Sequence, residues 1–416
     1  MLSLDCGQEF DPSRDEAFFA TLSARPGVFL LESHTEGAQP YLARTADVRR
    51  AVERLLRPPD PHSKRLNLRD VVARIRYRVT GSKFEQAIVL YQHARERFPR
   101  RYRELLRLRT PALLKLNLRN AYPRCYVTRR IGSDKAFYFG PFSSRKAAET
   151  FAEHFLDLFK IRRCQIKIRR DPSFPGCIYS EMKMCLAPCF AGCTKEEYDI
   201  EVSRVLATLS TGGAALTAEL EREREGASES LDFERAAALH KRIEKVSGVL
   251  RGLPELAKRL DELDAVVLQR AVEENAIAVF VIRGGIIADP ILLHFGELSS
   301  QPRSVEEILR GQLELKMNAD EHRLETEEVE GQVPRLGDVK NGGCRERYGF
   351  GASPEELGEH LALLARWFYS NPRKGEIFYR APDWPYRRII RACSRILNPQ
   401  QVPPLLPKPE PPASPA

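Results

Sequence analysis

The sequence predicts a multidomain α+β protein, and three observations support this class. Before residue 100, short apolar runs and amphipathic stretches follow one another in a ββαβα order. Residues 145–253 have helical spacing over most of their length, whereas residues 265–293 form apolar runs around a Gly284-Gly285 turn that is typical of a hairpin. The chain has 416 residues, and since a domain usually takes about 100–200 residues, two to four domains are expected.

A small ββαβα unit is predicted for residues 25–97, after an N-terminal segment of residues 1–24. Asp47 is a good helix cap, and the two helices should end before Pro58 and Pro99. Between them, apolar and basic residues alternate as they do in a half-buried strand. The elements of this unit are expected at residues 28–31, 41–42, 48–56, 75–79 and 83–97.

Four further segments complete the predicted organisation. Residues 98–205 are expected to form a basic, cysteine-rich helical linker, in which the aromatic segment 137–142 makes a turn. A helical hairpin is predicted for residues 206–255, and a C-terminal α/β unit for residues 256–398. Eight of the 18 residues from Pro399 onward are proline, which predicts an extended tail without regular structure.

The charge of the chain is unevenly distributed. The formal net charge is +9, yet residues 49–119 alone hold 20 Lys and Arg against 6 Asp and Glu, and residues 124–170 hold 12 against 4. Such an excess in one half of a chain favours a polyanionic partner over an ordinary solvated surface. The candidate phosphate-binding residues are Arg49, Arg50, Arg54, Arg74, Arg76, Arg78, Arg100 and Arg101.

The composition excludes several classes of protein. With 43% hydrophobic and 30% charged residues, the chain is neither wholly disordered nor collagen-like. No stretch approaches the roughly 18 consecutive apolar residues of a membrane span. The first residues are acidic and polar, so we expect no signal peptide, no membrane partner and a cytoplasmic location.

Nine cysteines are present, and four of them form a pattern. Cys164, Cys177, Cys185 and Cys189 are separated by twelve, seven and three residues. Thiolates from a single loop suit either an iron–sulfur cluster or a tetrahedral zinc ion, and the spacing does not distinguish the two metals. Disulfides are the competing explanation, but a reducing cytosol disfavours them. Cys193 lies outside the pattern, and Cys6, Cys125, Cys344 and Cys393 are scattered.

Several segments together resemble the UvrC excinuclease family. The similarity extends over about residues 10–295, and the motifs occur in the order found in that family. They are residues 25–31 (RPGVFLL), 41–44 (YLAR), 138–142 (YFGPF), the four-cysteine loop, 231–237 (LDFERAA), 365–369 (ARWFY) and 375–379 (GEIFY).

The resemblance implies a front domain similar to GIY-YIG nucleases, a 4Fe–4S cluster on the four cysteines, and a UVR hairpin. In the family, that hairpin binds the helicase UvrB, so UvrB or a UvrB-like protein is the expected partner, with DNA as the other. Iron is then favoured over zinc. The residues of this chain that correspond to the partner-binding hairpin are Leu231, Phe233, Glu234, Ala236, Ala237 and Ile243.

The catalytic positions implied by the resemblance are only partly retained. A GIY-YIG nuclease needs two tyrosines beside the attacking water, an arginine on the phosphate and a glutamate that holds a divalent metal. This chain keeps Tyr41 and the basic residue Arg44, but Phe29, Ala51 and Tyr91 occupy the other expected positions. Glu85 on the later helix lies a turn and a half before Tyr91. We therefore expect little or no nuclease activity, and Mg²⁺ as a cofactor only if some activity survives.

The predicted hairpin has a seam that must be covered. Its apolar and small positions fit two short helices around a bend at Asp232. Neither helix is long enough to be stable alone in water, so the seam between them must be buried either within this chain or on a partner. His240 and Lys241 replace the family's arginine and aspartate, which could weaken or retarget the contact.

Three hypotheses about function follow. The favoured one is a UvrC-like nucleotide excision repair protein that binds DNA and UvrB, with a degenerate incision site and without the second, RNase H-like nuclease of longer family members. The second is an active structure-specific endonuclease that uses Tyr41, Arg44 and Glu85 in altered chemistry. The third is a regulator whose iron–sulfur cluster senses redox state and alters DNA affinity.

Overall fold

The computed structural model describes residues 2–58, 62, 64–132, 136–298, 304–318 and 352–398. Its described part is a mixture of helices and three antiparallel sheets, which confirms the α+β class. The predicted proline tail and the segment 319–351, including Cys344, lie outside the described residues.

The first unit is an antiparallel sheet with strand order β1-β4-β2-β3 and helices on both faces. The ββαβα elements lie where the sequence places them, but strand β1 and helix α1 precede them and were not predicted. Strand β1 pairs with β4, and β3 forms the opposite edge. The bounds are β1 Cys6–Glu9, α1 Asp15–Thr21, β2 Gly27–Ser33, β3 Tyr41–Thr45, α2 Val48–Leu56, β4 Val72–Val79, α3 Lys83–Arg97 and α4 Tyr102–Leu105.

Local signals explain both main helices of this unit. The carboxylate of Asp47 accepts a hydrogen bond from the backbone N–H of Arg50 at 2.9 Å and caps α2. The hydroxyl of Ser82 accepts from the N–H of Glu85 at 3.1 Å and caps α3. Arginines and apolar residues segregate to opposite faces of α2, so its buried face packs into the sheet while its basic face meets solvent.

The middle unit is a second sheet, with order β6-β5-β7-β8, packed against helices. The expected turn at 137–142 is wrong, because these aromatic residues form strand β7 and Tyr138, Phe139 and Phe142 are buried. Pro141 is accommodated where the pairing of β5 with β7 shifts register. The bounds are β5 Ala112–Asn117, β6 Arg124–Thr128, β7 Ala136–Phe142, α5 Arg145–Leu156, α6 Ile178–Glu181, α7 Lys195–Ser210 and β8 Lys258–Arg259.

The predicted helical hairpin consists of α8 (Ala214–Glu229) and α9 (Phe233–Leu250). The bend lies at Asp232, whose side chain accepts from the N–H of Arg235 at 3.1 Å and caps α9. At the base of the hairpin, Leu216 and Val246 are buried in the same core as the middle sheet. At its base, the seam between the two helices is therefore buried within this chain, which is one of the two alternatives that the sequence left open.

The rear unit is a five-stranded antiparallel sheet between two apolar cores, and Gly284-Gly285 lies between its strands β10 and β11 as the hairpin prediction requires. One face packs on α12 and on α3 of the first unit, and the other on α11 and α13. Its bounds are β9 Ala265–Arg270, β10 Ala276–Arg283, β11 Ile286–Ile287, β12 Ile291–His294, α10 Phe295–Leu298, α11 Val305–Asn318, α12 Pro354–Phe368, β13 Glu376–Tyr379 and α13 Tyr386–Leu397.

Candidate nucleic-acid interface and partner-binding hairpin

A cleft of about 950 Å³ lies beside the edge strand β3 and helix α2. Tyr41 lines it together with four arginines, two carboxylates and several small or apolar residues. Arg50 and Arg54 are four residues apart and share one face of α2, and Arg57 follows directly after the end of that helix. Arg65 lines the cleft from the following loop. Arg57 and Arg65 were not among the predicted residues, although the spacing of the α2 arginines could have revealed the first of them.

Phe29 and Tyr41, the two positions where the resemblance predicts tyrosines, lie side by side next to this cleft, and only Tyr41 carries a hydroxyl. The ring centroids of Phe29 and Tyr41 are 6.1 Å apart. Phe29 is 2% exposed, and Ala51 beside them is 7% exposed. Apolar side chains thus occupy the two positions where the resemblance predicts a hydroxyl and a guanidinium.

The two retained residues, Tyr41 and Arg44, are not brought together. They stand three positions apart on one strand, and alternate residues of a strand face opposite sides of the sheet. Tyr41 packs toward the α2 core, together with Ala43. Arg44 does not line the cleft and instead lies close enough to Arg366 of the rear unit to lower the pKa of that arginine, after the larger effect of burial.

The carboxylates near the cleft already have partners. Asp47 caps α2, and Glu53 lies 3.5 Å from the guanidinium of Arg57. Glu85 is on α3, where its Oε2 accepts from the N–H of Gly81 at 2.8 Å and its Oε1 lies 3.6 Å from Nε of Arg78. Burial raises the pKa of Glu85, while the Gly81 N–H and Arg78 act in the opposite direction.

Tyr91, at the position of the expected metal-binding glutamate, is part of a buried network. Its hydroxyl donates to Oε2 of Glu359 on α12 at 2.7 Å. The hydroxyl of Tyr102 donates to Oε1 of the same carboxylate at 2.7 Å, and the guanidinium of Arg103 completes the network. Burial is the main cause of the raised pKa of Tyr91, and the hydrogen bond to Glu359 adds to it. This network joins the first and rear units.

The eight candidate phosphate-binding arginines fall into two groups. Arg49 donates to the carbonyls of Leu22 at 2.8 Å and Ala20 at 3.0 Å, so it closes the end of α1. The β4 row, Arg74, Arg76 and Arg78, faces one side of the sheet, and each member has an acidic neighbour. The pairs are Arg74–Glu9 at 3.1 Å, Arg76–Glu32 at 3.4 Å and Arg78–Asp5 at 2.5 Å.

The other four, Arg50, Arg54, Arg100 and Arg101, are exposed. Among the described residues, none of their guanidinium groups takes part in a hydrogen bond or ion pair. Arg50 and Arg54 line the cleft, and Arg100 and Arg101 precede α4. These four offer the most accessible positive charge of the predicted set.

The four-cysteine loop brings its thiols near one another. Burial raises the pKa of Cys185 to about 11, and the thiols of Cys164, Cys177 and Cys189 each add to that shift. Ala187 and Ala191, on either side of Cys189, have positive φ angles of 56° and 62° and turn the backbone sharply. Within the described ranges, however, no group of three or more His, Cys, Asp or Glu side chains is assembled to hold a metal ion. The thiols are neighbours without forming a complete ligand set.

The six predicted partner-binding residues divide between the tip and the seam of the hairpin. Leu231 is 71% exposed and Phe233 is 68% exposed, and Glu234 and Ala237 also face solvent. Ala236 and Ile243 are partly buried against the core of the middle unit. Leu231 and Phe233 thus place two large exposed apolar side chains together at the bend, and clustered apolar surface of this kind is typical of a contact with another protein.

Two family models match the chain. Residues 112–208 match the model described as UvrC/Cho excinuclease, middle domain, and residues 214–248 match the UvrB/uvrC motif. The chain contains a UvrC-type middle domain followed by a UvrB/uvrC motif. UvrABC system protein C of Clostridium tetani is 26% identical over 270 residues, which are 64% of this chain and 43% of that protein. The corresponding protein of Desulfatibacillum aliphaticivorans is 28% identical over 303 residues, which are 72% of this chain and 49% of that protein.

The chain spans about half the length of the curated relatives it matches. The matched UvrC middle domain covers strands β5 to β7 of the second sheet, α5, the four-cysteine loop and most of α7, and the matched motif is the helical hairpin. No solved structure matches the chain significantly. None of the helices in the described ranges is long and apolar enough to cross a membrane.

Proposed function

We propose that this chain is a nucleotide excision repair protein that binds DNA through its first unit but does not incise it there. The observation that carries the proposal is the arginine-lined cleft at Tyr41, with Phe29 and Ala51 where a tyrosine and an arginine are expected. Loss of one oriented catalytic group costs roughly 3 kcal/mol of transition-state stabilisation, so several losses together leave negligible turnover. Arginines around an open cleft still bind phosphates without sequence preference.

A reconstituted incision assay tests this proposal. The full chain, UvrA, UvrB and a lesion-bearing duplex are incubated with Mg²⁺ or Mn²⁺, and DNA binding is measured over a range of salt concentrations. We expect no incision, and an affinity that falls steeply with salt and weakens in Arg50→Gln/Arg54→Gln. Arg222→Gln/Arg242→Gln, which removes the same charge from the hairpin, is the control. Incision that Tyr41→Phe abolishes would instead establish an active endonuclease, and a flat salt response would remove the DNA-binding claim.

The hairpin tip is the proposed docking surface for UvrB or a UvrB-like protein. Support comes from the exposed Leu231 and Phe233 on a hairpin whose base is held in the middle core. In titrations with UvrB, Leu231→Ala/Phe233→Ala should weaken binding at least tenfold, because exposed apolar anchors dominate such contacts. Leu315→Ala is a matched control, since Leu315 is 72% exposed on α11 of the rear unit. Equal effects of both variants would show that the tip is not the contact.

The four cysteines are the proposed ligands of a 4Fe–4S cluster, with zinc as the alternative. The support is the donor chemistry, four thiols of one loop that lie within electrostatic range of one another. A bound cluster would supply structural cross-linking of the loop. Anaerobic purification should give stoichiometric iron and the visible absorption of an iron–sulfur cluster. Cys185→Ser should lose both, whereas Cys193→Ser should retain them, and stoichiometric zinc without iron would support the alternative.

A further inference from the structure

Helix α13 presents a second basic surface, far along the chain from the first. Its four arginines, Arg387, Arg388, Arg391 and Arg395, are all exposed, and the helix has no acidic residue. Residues 380–397 contain five arginines and a single aspartate, although the chain as a whole is acidic after residue 170. The excess of arginine in residues 380–397 is therefore a separate feature from the basic region before residue 170.

The opposite face of α13 fixes the helix in place. Ile389, Ala392 and Cys393 are at most 1% exposed and pack into the core on the outer face of the rear sheet. A helix held in this way presents its arginines at defined positions rather than as a flexible charged segment. It also has no apolar face left to insert into a lipid bilayer, which an interfacial amphipathic helix requires.

Two of the four arginines are already committed within the fold. Arg395 contacts Glu376 at 2.7 and 2.9 Å, and the guanidinium of Arg388 lies 5.8 Å from the ring centroid of Phe378. For Arg387 and Arg391, the described part of the chain provides no hydrogen bond or ion pair to the guanidinium. Their positive charge is therefore available to an external anion.

The spacing of the row fits a regular polyanion. Arg387, Arg391 and Arg395 follow one another every four residues, a rise of about 6 Å along the helix. Phosphates on one strand of B-DNA recur every ~3.4 Å of axis, so alternate phosphates are about 7 Å apart. We infer that α13 is a second contact surface for the phosphate backbone of duplex DNA, centred on Arg387 and Arg391. It rests on the proposed function and extends the DNA contact of the first unit to the rear unit.

Binding of the full chain to duplex DNA tests the inference. Arg387→Gln/Arg391→Gln should weaken binding about 10–100-fold near 0.1 M salt and lower the salt slope by about 2, because two phosphate contacts are lost. The charge-retaining Arg387→Lys/Arg391→Lys should stay within about threefold of the wild type. Circular dichroism is expected to be unchanged, since both residues are exposed.

The outcomes separate this inference from the proposed function. If Arg387→Gln/Arg391→Gln binds like the wild type while Arg50→Gln/Arg54→Gln does not, the α13 inference is overturned and the proposed function stands. If the α13 double variant loses binding while Arg222→Gln/Arg242→Gln does not, the inference is supported. Loss of binding to phosphatidylserine vesicles in the α13 variant, with DNA affinity intact, would assign the surface to a membrane and overturn the inference.

Discussion

Restoring the acidic residue that the UvrC resemblance expects at position 91 should destabilise the protein rather than repair a metal site. In the fold, Tyr91 does not face the Tyr41 cleft but donates its hydroxyl proton to the buried carboxylate of Glu359. Glu359 is 5% exposed, and its charge is compensated by two tyrosine hydroxyls and by Arg103. Tyr91→Glu would remove one donor and place a second carboxylate against the first.

The magnitude follows from the distances. The oxygen of Tyr91 is 2.7 Å from Glu359, and a shorter glutamate would hold its charge at about 4 Å. At an effective dielectric constant near 20, two like charges at that distance repel by about 4 kcal/mol. The protein can reduce this cost only by keeping one of the carboxyls protonated, which raises a carboxyl pKa and makes the penalty shrink in acid. We expect a loss of roughly 4 kcal/mol at pH 8 relative to a neutral residue of the same shape.

Tyr91→Gln is that matched neutral residue. Both variants lose the ring and leave a similar cavity, so the difference between their urea unfolding free energies isolates the charge. The measurement is repeated at pH 8 and pH 5, and both variants are assayed for metal-dependent incision. Equal stabilities at pH 8, or incision gained by Tyr91→Glu alone, would contradict this account of position 91.

Three further predictions concern stability. Burial lowers the pKa of His360 to about 4 from its ordinary 6.5, so the unfolded chain binds the proton first as pH falls and stability is lost below pH 6.5. Between pH 7 and 5 the unfolding free energy should drop by roughly 2 kcal/mol more in the wild type than in His360→Gln. If the urea midpoints of the two proteins shift equally between these pH values, the prediction is wrong. Asp232→Ala should cost about 1 kcal/mol by removing the cap of α9, measured as faster amide exchange in its first turn, whereas Asp232→Asn should leave exchange nearly unchanged. Gly213→Ala should melt at a clearly lower temperature than Gly212→Ala. Both glycines have positive φ angles, but only at Gly213 would the new Cβ come within 2.0 Å of Leu250. Equal melting temperatures of the two variants would show that this contact relaxes without cost.

The elements that the sequence predicted well are those with local signals. Helices α2, α3 and α9 each begin at a capping side chain, and the strands β2, β9 and β10 are continuous apolar runs. Strand β1 was missed because its four residues are mostly exposed and carry no alternating pattern. The fourth strand of the middle sheet could not be foreseen, because β8 has only two residues and pairs with β7 from over a hundred residues away.

The candidate site was predictable in its residue types but not in its arrangement. The local charge excess identified the α2 arginines Arg50 and Arg54, yet it could not show that the β4 row is opposed by acids just before strand β1, in β1 and in β2. Nor could it show that Tyr91 has a partner 268 residues later in the chain. Partners at such separations are set by tertiary packing, and local periodicity carries no record of them.

The short strand β8 gives the hairpin a mechanical role. The chain leaves the middle sheet after β7, forms α5 to α9, and returns to the edge of the same strand before continuing directly into β9 of the rear sheet. Both ends of this long excursion are therefore anchored, one through α7 and one through β8. A force applied to the tip by a bound protein is therefore transmitted to both the middle and the rear sheet. The hairpin is rigidly connected to these sheets and is not attached through a flexible linker.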